Sequence, residues 1–242
     1  MTMRKIVDKL INLFSQPEKT RILAFGSSNT ERFLPGMHWF DCFELAIKNT
    51  YGRVHSCINT GVGGNTSSQM LERFEDDAAR YCPHLAFITI GGNDSNPDPE
   101  RNHTPEKFAR NLQELYDRFE TMGTLVIFQT YYAPDPDKID SQHLKNFYEL
   151  MDVVREVAVA KNAGLIDHFK RWESFRKAYP VEYKALMRDG FHVKPAGNLV
   201  LGADIARNFN AGFGSEYPEF WQQTFAVQQK MDQLGSLLSN KS

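Results

Sequence analysis

A serine and a distant Asp-x-x-His segment are the first residues of this chain whose types suggest shared chemistry. Ser28 lies in Gly-Ser-Ser-Asn-Thr, directly after a short apolar run. A serine hydroxyl is a weak nucleophile until a base removes its proton. His192 is a candidate base, and Asp189, three residues earlier, could hold the imidazole in the tautomer that accepts this proton. These residue types predict nucleophilic attack on a carbonyl carbon.

Such an attack creates a negative oxygen, which needs hydrogen-bond donors. The backbone amides of Ser28 and Gly64 and the side-chain amide of Asn93 are the candidates. Gly64 lies in Asn-Thr-Gly-Val-Gly-Gly-Asn-Thr, where a glycine lets the backbone approach a substrate closely. Gly63 is the alternative to Gly64. A serine after a strand is more often only a turn residue, so the prediction depends on all of these segments together.

The elements around these segments predict an α/β fold. Near-continuous apolar runs alternate with stretches of helical periodicity, as expected for a parallel sheet buried on both faces. Ligands bind beyond the carboxyl ends of the strands in such sheets, so the chemical segments are expected to converge there. The predicted strands are Arg21–Phe25, Val54–Ile58, Leu85–Ile90, Leu125–Phe128 and Leu165–Ile166.

The four segments, in this order, resemble the sequence blocks of the SGNH hydrolases, the GDSL-like lipase/esterase superfamily. The resemblance covers about residues 20 to 212. It implies a three-layer α/β/α sandwich with a five-stranded parallel, flavodoxin-like sheet. It also implies Ser28 as the nucleophile, Asp189 and His192 as the rest of the triad, and an oxyanion hole formed by Ser28, Gly64 and Asn93. The sequence departs from the family pattern at Ser27, where the usual Gly-Asp-Ser has aspartate.

The chain is predicted to have three parts. Residues 1–20 show the spacing of an amphipathic helix, residues 21–212 form the hydrolase domain, and residues 213–242 form a C-terminal helical extension. The extension carries an apolar stripe that either packs on the domain or pairs with a partner subunit. A homo-oligomer through this helix is therefore left open.

Composition excludes several classes of function. The formal net charge of −2 leaves no basic footprint for nucleic acid, and no apolar stretch is long enough to span a membrane. The odd count of three cysteines, with no close spacing, argues against a disulfide framework and a zinc site. Serine-based hydrolysis needs no metal, and no cofactor is expected. Polar residues interrupt the first apolar segment, which predicts a cytoplasmic protein, with secretion of a processed chain left open.

Two other enzyme classes fit less well. The nucleophile elbow Gly-x-Ser-x-Gly of the α/β-hydrolases is missing, because Thr30 stands where its second glycine belongs. The glycine-rich segment around Gly64 lacks the third glycine of a dinucleotide fingerprint and the lysine of a phosphate loop.

The predicted function is hydrolysis of carboxylic esters through an acyl-enzyme intermediate, on a small-molecule ester. Short acyl esters such as acetyl esters, including those on carbohydrates, are the favoured substrates. The alternatives are a lysophospholipase or thioesterase of the same family and a non-catalytic binding protein that retains the fold. The candidate substrate contacts are Arg32, Phe33, Met37, His38, Trp39, Asp98, Glu100, Arg101, His103, Tyr131, Tyr132 and Trp172.

Overall fold

The computed structural model describes residues 3–16, 19–33, 36–52, 55–213 and 218–239. Its centre is a five-stranded sheet in the order β2-β1-β3-β4-β5, in which every neighbouring pair is parallel. The strands are β1 (Arg21–Gly26), β2 (Ser56–Asn59), β3 (Leu85–Thr89), β4 (Leu125–Gln129) and β5 (Gly164–Ile166). This order is that of flavodoxin-like sheets, which confirms the predicted fold class.

Helices cover both faces of the sheet. They are α1 (Met3–Phe14), α2 (Trp39–Tyr51), α3 (Ser67–Glu72), α4 (Phe74–Asp77), α5 (Pro105–Thr121), α6 (Ser141–Ala160), α7 (His168–Ala178), α8 (Pro180–Leu186), α9 (Pro195–Asn208) and α10 (Pro218–Ser239). Short 3-10 turns lie at Ala79–Tyr81 and Pro136–Lys138.

Strand β1 shows how the sheet divides the core into two layers. Ile22 and Ala24 pack into the cluster formed with α1, α2 and the helices from α7 onward, whereas Leu23 and Phe25 pack into the cluster formed with α3 to α6. Side chains of successive strand residues point to opposite faces, and all four are fully buried. The chain is therefore a three-layer α/β/α sandwich.

Side-chain caps set several helix boundaries that periodicity alone did not locate. Helix α6 begins at Ser141, three residues before the predicted Leu144, because the Asp140 carboxylate accepts from the amides of Gln142 and His143. The cap of α3 is Thr66, one residue before the predicted Ser67, and its amide donates to the side chain of Gln69. At β2, the predicted Val54 lies outside the described residues.

The terminal helices pack on the same core layer. In α1, Leu10 and Phe14 are fully buried. Helix α10 contacts α7 and α9, and its Trp221, Val227 and Met231 are buried. No helix in the described ranges is both long and apolar enough to cross a bilayer.

Candidate active site

The strand order reverses between β1 and β3, which lie side by side with β2 and β4 on their outer flanks. Loops leaving neighbouring strands on the two sides of such a reversal diverge and open a crevice at the carboxyl ends. The loop after β1 carries Ser28, and the loop after β3 carries Asn93. The topology therefore places the predicted nucleophile and a predicted oxyanion donor on the two sides of one crevice.

Ser28, His192 and Asp189 form a continuous hydrogen-bonded chain. The Oγ of Ser28 lies 2.8 Å from Nε2 of His192, across 164 residues of sequence. Nδ1 of the same ring lies 2.9 Å and 3.0 Å from the two carboxylate oxygens of Asp189. A proton on Nδ1 satisfies the carboxylate and leaves Nε2 as the acceptor for the serine hydroxyl.

The segment from Asp189 to His192 is a compact turn that holds its own carboxylate. Oδ1 of Asp189 accepts from the amides of Phe191 (2.9 Å) and His192 (2.8 Å). Burial alone would raise the pKa of Asp189, but these two amides and the imidazole together hold it below its ordinary value. The carboxylate is therefore ionised beside the histidine ring, as an orienting acid must be.

Each of the three expected oxyanion donors has an N–H group free of other described partners. Neither the Ser28 amide nor the Gly64 amide donates to another described residue, so both N–H groups are available. Gly64 has φ +80°, a conformation that residues with a side chain rarely adopt. One hydrogen of the Asn93 side-chain amide goes to the carbonyl oxygen of Asn65 at 2.9 Å. Its second hydrogen remains for a substrate oxygen.

Gly26 makes room for the sharp turn that presents Ser28. A Cβ at this position would lie 2.4 Å from Oγ1 of Thr30 and 2.5 Å from the carbonyl oxygen of Thr89. The chain then turns as in a helix, because the carbonyl of Ser27 accepts from the amides of Thr30 and Glu31, both at 2.9 Å. Glycine is therefore required sterically just before the two serines.

Arg73, which sequence analysis missed, joins the end of β1 to the loop that follows β2. Its guanidinium donates to the carbonyl of Gly26 (2.8 Å), the carbonyl of Thr60 (2.7 Å) and Oδ1 of Asn65 (2.7 Å). It also lies over the ring of Phe25, 4.5 Å from the centroid. No motif marks this arginine, since it follows a helix at a position where a solvated charge is usual.

Two tyrosines that were candidates for substrate contact are instead buried beneath the loop that carries Ser28. The Tyr131 hydroxyl lies 2.9 Å from Oγ of Ser27, and burial raises the pKa of this tyrosine to about 12. The Tyr132 hydroxyl lies 3.0 Å from Oδ1 of Asn29 and within hydrogen-bond distance of the carbonyl oxygen of Phe191. Tyr132 thus ties the loop that carries Ser28 to the loop that carries His192.

Asp94 connects the segment that carries Asn93 with the segment that follows Gly64. It is fully buried, and its Oδ1 accepts from the amide of Ser67 at 2.8 Å and from the Ser67 hydroxyl. His103 lies beside it, with Nε2 2.8 Å from Oγ of Ser68 and Nδ1 2.6 Å from the carbonyl oxygen of Arg101. The carboxylate therefore joins the loop after β3 to the start of α3, which directly follows the Gly64 segment.

Most of the aromatic and histidine candidates for substrate contact belong to the interior. His38, Trp39, His103 and Trp172 are buried along with the two tyrosines. Phe33 is 45% exposed and packs edge-on against the His192 ring, with centroids 6.0 Å apart. No cluster of three or more metal-ligating side chains occurs in the described part of the chain.

Comparison with known proteins agrees with this architecture. The model of the GDSL-like lipase/acylhydrolase family matches residues 24–200. The uncharacterized lipoprotein YqeF of Bacillus subtilis is 23% identical over 205 residues, which cover 73% of this chain and 81% of that protein.

Solved structures of esterases and lipases share the fold of this chain. A catalytic mutant of Axe2, an acetylxylan esterase from Geobacillus stearothermophilus, superposes with a TM-score of 0.69 at 19% identity, over 82% of this chain and 98% of that one. A lipase/acylhydrolase from Enterococcus faecalis gives 0.66 at 26% identity, over 81% and 99%. The family match covers most of the sheet and every segment from Ser28 to His192. The chain therefore belongs to the GDSL-like lipase/acylhydrolase family, the SGNH hydrolases, and by that membership it is a hydrolase of ester bonds.

Proposed function

We propose that this chain hydrolyses short acyl esters, acetyl esters on carbohydrates in particular, through an acyl-enzyme formed on Ser28. The observation that carries the proposal is the continuous Ser28–His192–Asp189 chain, with contacts of 2.8 Å and 2.9 Å. Serine, histidine and an ionised carboxylate at hydrogen-bond distances are the parts that nucleophilic acyl transfer requires.

In the acylation step, Nε2 of His192 takes the Ser28 proton while Oγ attacks the ester carbonyl carbon. The carbonyl oxygen becomes negative, and the amides of Ser28 and Gly64 and the side-chain amide of Asn93 donate to it. The imidazolium then gives its proton to the alcohol oxygen as that C–O bond breaks. Asp189 stabilises the imidazolium throughout and keeps Nδ1 protonated.

In the deacylation step, water takes the place of the departed alcohol. His192 removes a proton from the water as its oxygen attacks the acyl carbon, and the same donors hold the second oxyanion. Collapse of this intermediate breaks the bond to Oγ of Ser28, which recovers its proton from His192. The products are a carboxylic acid and the free serine enzyme.

The substrate class rests on the comparisons and on the side chains around the serine. The acetylxylan esterase Axe2 shares the fold. Phe33 offers an exposed aromatic ring next to His192, and a second acetyl xylan esterase, AlAXEase, superposes with a TM-score of 0.66 at 20% identity. An aromatic ring beside charged side chains suits a sugar ring with its hydroxyl groups.

A chain-length series of nitrophenyl esters, run beside acetylated sugars, tests the proposal. We expect kcat/KM to be highest for acetyl esters and to fall as the acyl chain lengthens. Preference for long acyl chains or for thioesters would favour a lysophospholipase or thioesterase instead. A fluorophosphonate probe distinguishes the remaining alternative, because a non-catalytic binding protein would not be labelled at Ser28.

A further inference from the structure

We propose that Arg101 and Arg188 form an anion-binding rim around the active site, and that the preferred ester carries an anionic group, a carboxylate or a phosphate, on its alcohol part. The proposal rests on the proposed esterase function and extends it to the charge of the substrate. It is carried by the positions of the two guanidinium groups and by their lack of ion-pair partners.

Arg101 lies at the oxyanion side of the crevice. Its Nη1 is 3.5 Å from Oδ1 of Asn93, and its Nη2 is 4.0 Å from the position that a Cβ on Gly64 would occupy. The backbone of this exposed residue is held in place, because its amide donates to the carbonyl of Asp98 (2.9 Å) and its carbonyl lies 2.6 Å from Nδ1 of buried His103. The guanidinium is thus anchored beside two of the three oxyanion donors.

Arg188 lies at the histidine side. Its guanidinium carbon is 5.2 Å from the centroid of the Phe33 ring, and that ring packs edge-on against the imidazole of His192. The Arg188 amide donates to the carbonyl of His192 at 2.8 Å, which fixes the start of this side chain relative to the triad. One cation therefore lies beside Asn93 and Gly64, and the other lies over the aromatic ring that packs against His192.

Neither of these arginines forms an ion pair with a described residue. Other arginines do, for example Arg73 with Asp77, Arg155 with Asp167 and Arg171 with Asp204. A guanidinium presents planar paired donors that match a carboxylate or phosphate. Unpaired cations at the mouth of a catalytic crevice raise the local concentration of anionic ligands.

The acidic side chains near this rim form no ion pair with either arginine among the described contacts. Glu31 lies against the glycine loop, where its Oε2 would be 2.5 Å from a Cβ on Gly63, and it forms no ion pair with Arg101 among the described contacts. Asp98 and Glu100 precede Arg101 in the same exposed loop, and the Asp98 carboxylate accepts from the Glu100 amide at 3.0 Å. The carboxylate of Asp189 is already bound to the His192 ring and to two amides.

Matched acetyl esters test the inference. Initial rates of acetate release would be measured with acetylated glucuronic acid, acetylated glucose 6-phosphate and acetylated glucose, and the readout is the ratio of kcat/KM for each anionic ester to that for the neutral one. We expect a ratio of about ten or more in the wild type for at least one anion, equivalent to one charge-assisted hydrogen bond. The larger of the two ratios identifies carboxylate or phosphate as the preferred group.

Arg101→Gln should lower this ratio toward one, and Arg188→Gln should lower it as well. The ratio is used because Arg101 also touches Asn93, so a general loss of catalysis cancels within each variant. Arg110→Gln is the matched control, since Arg110 is an exposed arginine of α5 outside the rim. Added salt should reduce the wild-type ratio, because exposed charges are screened.

A wild-type ratio near one, with both kinds of ester hydrolysed, would overturn the anionic preference and leave the esterase proposal standing. A high ratio that survives both substitutions would also overturn it. If no ester is hydrolysed, the esterase proposal fails. Anion binding by the rim is then tested separately, by calorimetry that compares the affinity for glucuronate with that for glucose in the wild type and in Arg101→Gln. Equal binding of the two sugars would refute the rim, and tighter glucuronate binding that Arg101→Gln abolishes would support it.

Discussion

The hydroxyl of Ser27 lies 2.9 Å from the hydroxyl of Tyr131, and both side chains are buried beside the loop that carries Ser28. Ser27 is the residue at which this chain departs from the Gly-Asp-Ser pattern of its family. The Tyr131 ring also packs against the loop that carries Asn93, since a Cβ on Gly92 would lie 2.8 Å from Cε2 of the ring. The short serine side chain and the tyrosine thus fill one space between the loop that carries Ser28 and the loop that carries Asn93.

Ser27→Asp should destabilise the protein, although aspartate is usual here in the family. The new carboxylate would be fully buried against Tyr131, and an incompletely paired buried charge costs several kcal/mol. We expect the free energy of unfolding in urea to fall by about 2–4 kcal/mol. Ser27→Ala and Tyr131→Phe serve as controls, and each should lower the free energy of unfolding by about 1 kcal/mol. Because both remove the same contact, the double variant should lose less than the sum of the two. A stable Ser27→Asp would contradict this account.

Ser28→Ala should abolish ester hydrolysis while the fold is retained. Removal of Oγ removes the attacking atom, so kcat/KM should fall by roughly 10⁴-fold or more. Steady-state rates and circular dichroism check the two halves of this statement. Ser27→Ala is the neighbouring control and should remain active; loss of activity in that variant alone would mean that the nucleophile is assigned to the wrong serine.

Asn93→Ala should act mainly on kcat. Its free amide hydrogen interacts more strongly with the oxyanion than with a neutral carbonyl, so we expect kcat to fall by roughly 10²–10³ with little change in KM. Asn93→Asp is the sharper variant, because it keeps the shape and the neighbour Arg101 but replaces the donor with a negative charge. It should be at least as impaired as alanine, and an active Asn93→Asp enzyme would remove Asn93 from the oxyanion hole.

Asp94→Asn should affect stability more than chemistry. The carboxylate is fully buried beneath the site and holds the amide and hydroxyl of Ser67. An amide in its place keeps one acceptor and adds donors without partners, which costs about 1–3 kcal/mol. Urea unfolding together with kcat measures both effects. A well-folded variant without activity would instead point to a direct role of this carboxylate in the reaction.

Sequence patterns predicted the residues whose types carry chemistry but not those that hold them in place. Apolar runs located the five strands, and the order of the four segments placed Ser28, Asn93 and His192 at one sheet edge. The positioning roles of Arg73 and Tyr132 left no such signal, because most of their partners are backbone carbonyls or a side chain in other loops. Long-range contacts of this kind arise only once the sheet brings the loops together.

Aromatic side chains that are alike in the sequence differ in their solvent exposure in the fold. Tyr131, Trp172 and Phe33 were all candidates for substrate contact, yet only Phe33 is exposed. The first two fill the space between helices and sheet, where large aromatic side chains are common. Which face of an element an aromatic residue occupies depends on the neighbouring layer, so the sequence alone did not separate the rim from the core.

His168 makes the stability of the protein depend on pH. It is 5% exposed, its Nε2 lies 3.0 Å from Oε1 of Gln129, and burial lowers its pKa to about 4. Between pH ~6.5 and this value the unfolded chain binds a proton that the folded chain does not. The contribution of His168 to the unfolding free energy is therefore complete above pH ~6.5 and is lost as the pH falls toward 4. Below pH ~4 it changes no further.

His168→Gln isolates this effect, since glutamine can donate to Gln129 but does not titrate. We expect the wild type to lose up to about 3 kcal/mol more unfolding free energy than the variant between about pH 7.5 and 4.5. Urea titrations at several pH values check the difference in slope rather than the absolute stability. The comparison is needed because buried His38, with a pKa also lowered to about 4 by burial, adds to the same loss, and buried Asp94, with a raised pKa, opposes it. Parallel curves for the two proteins would show that His168 does not stay neutral in the folded state.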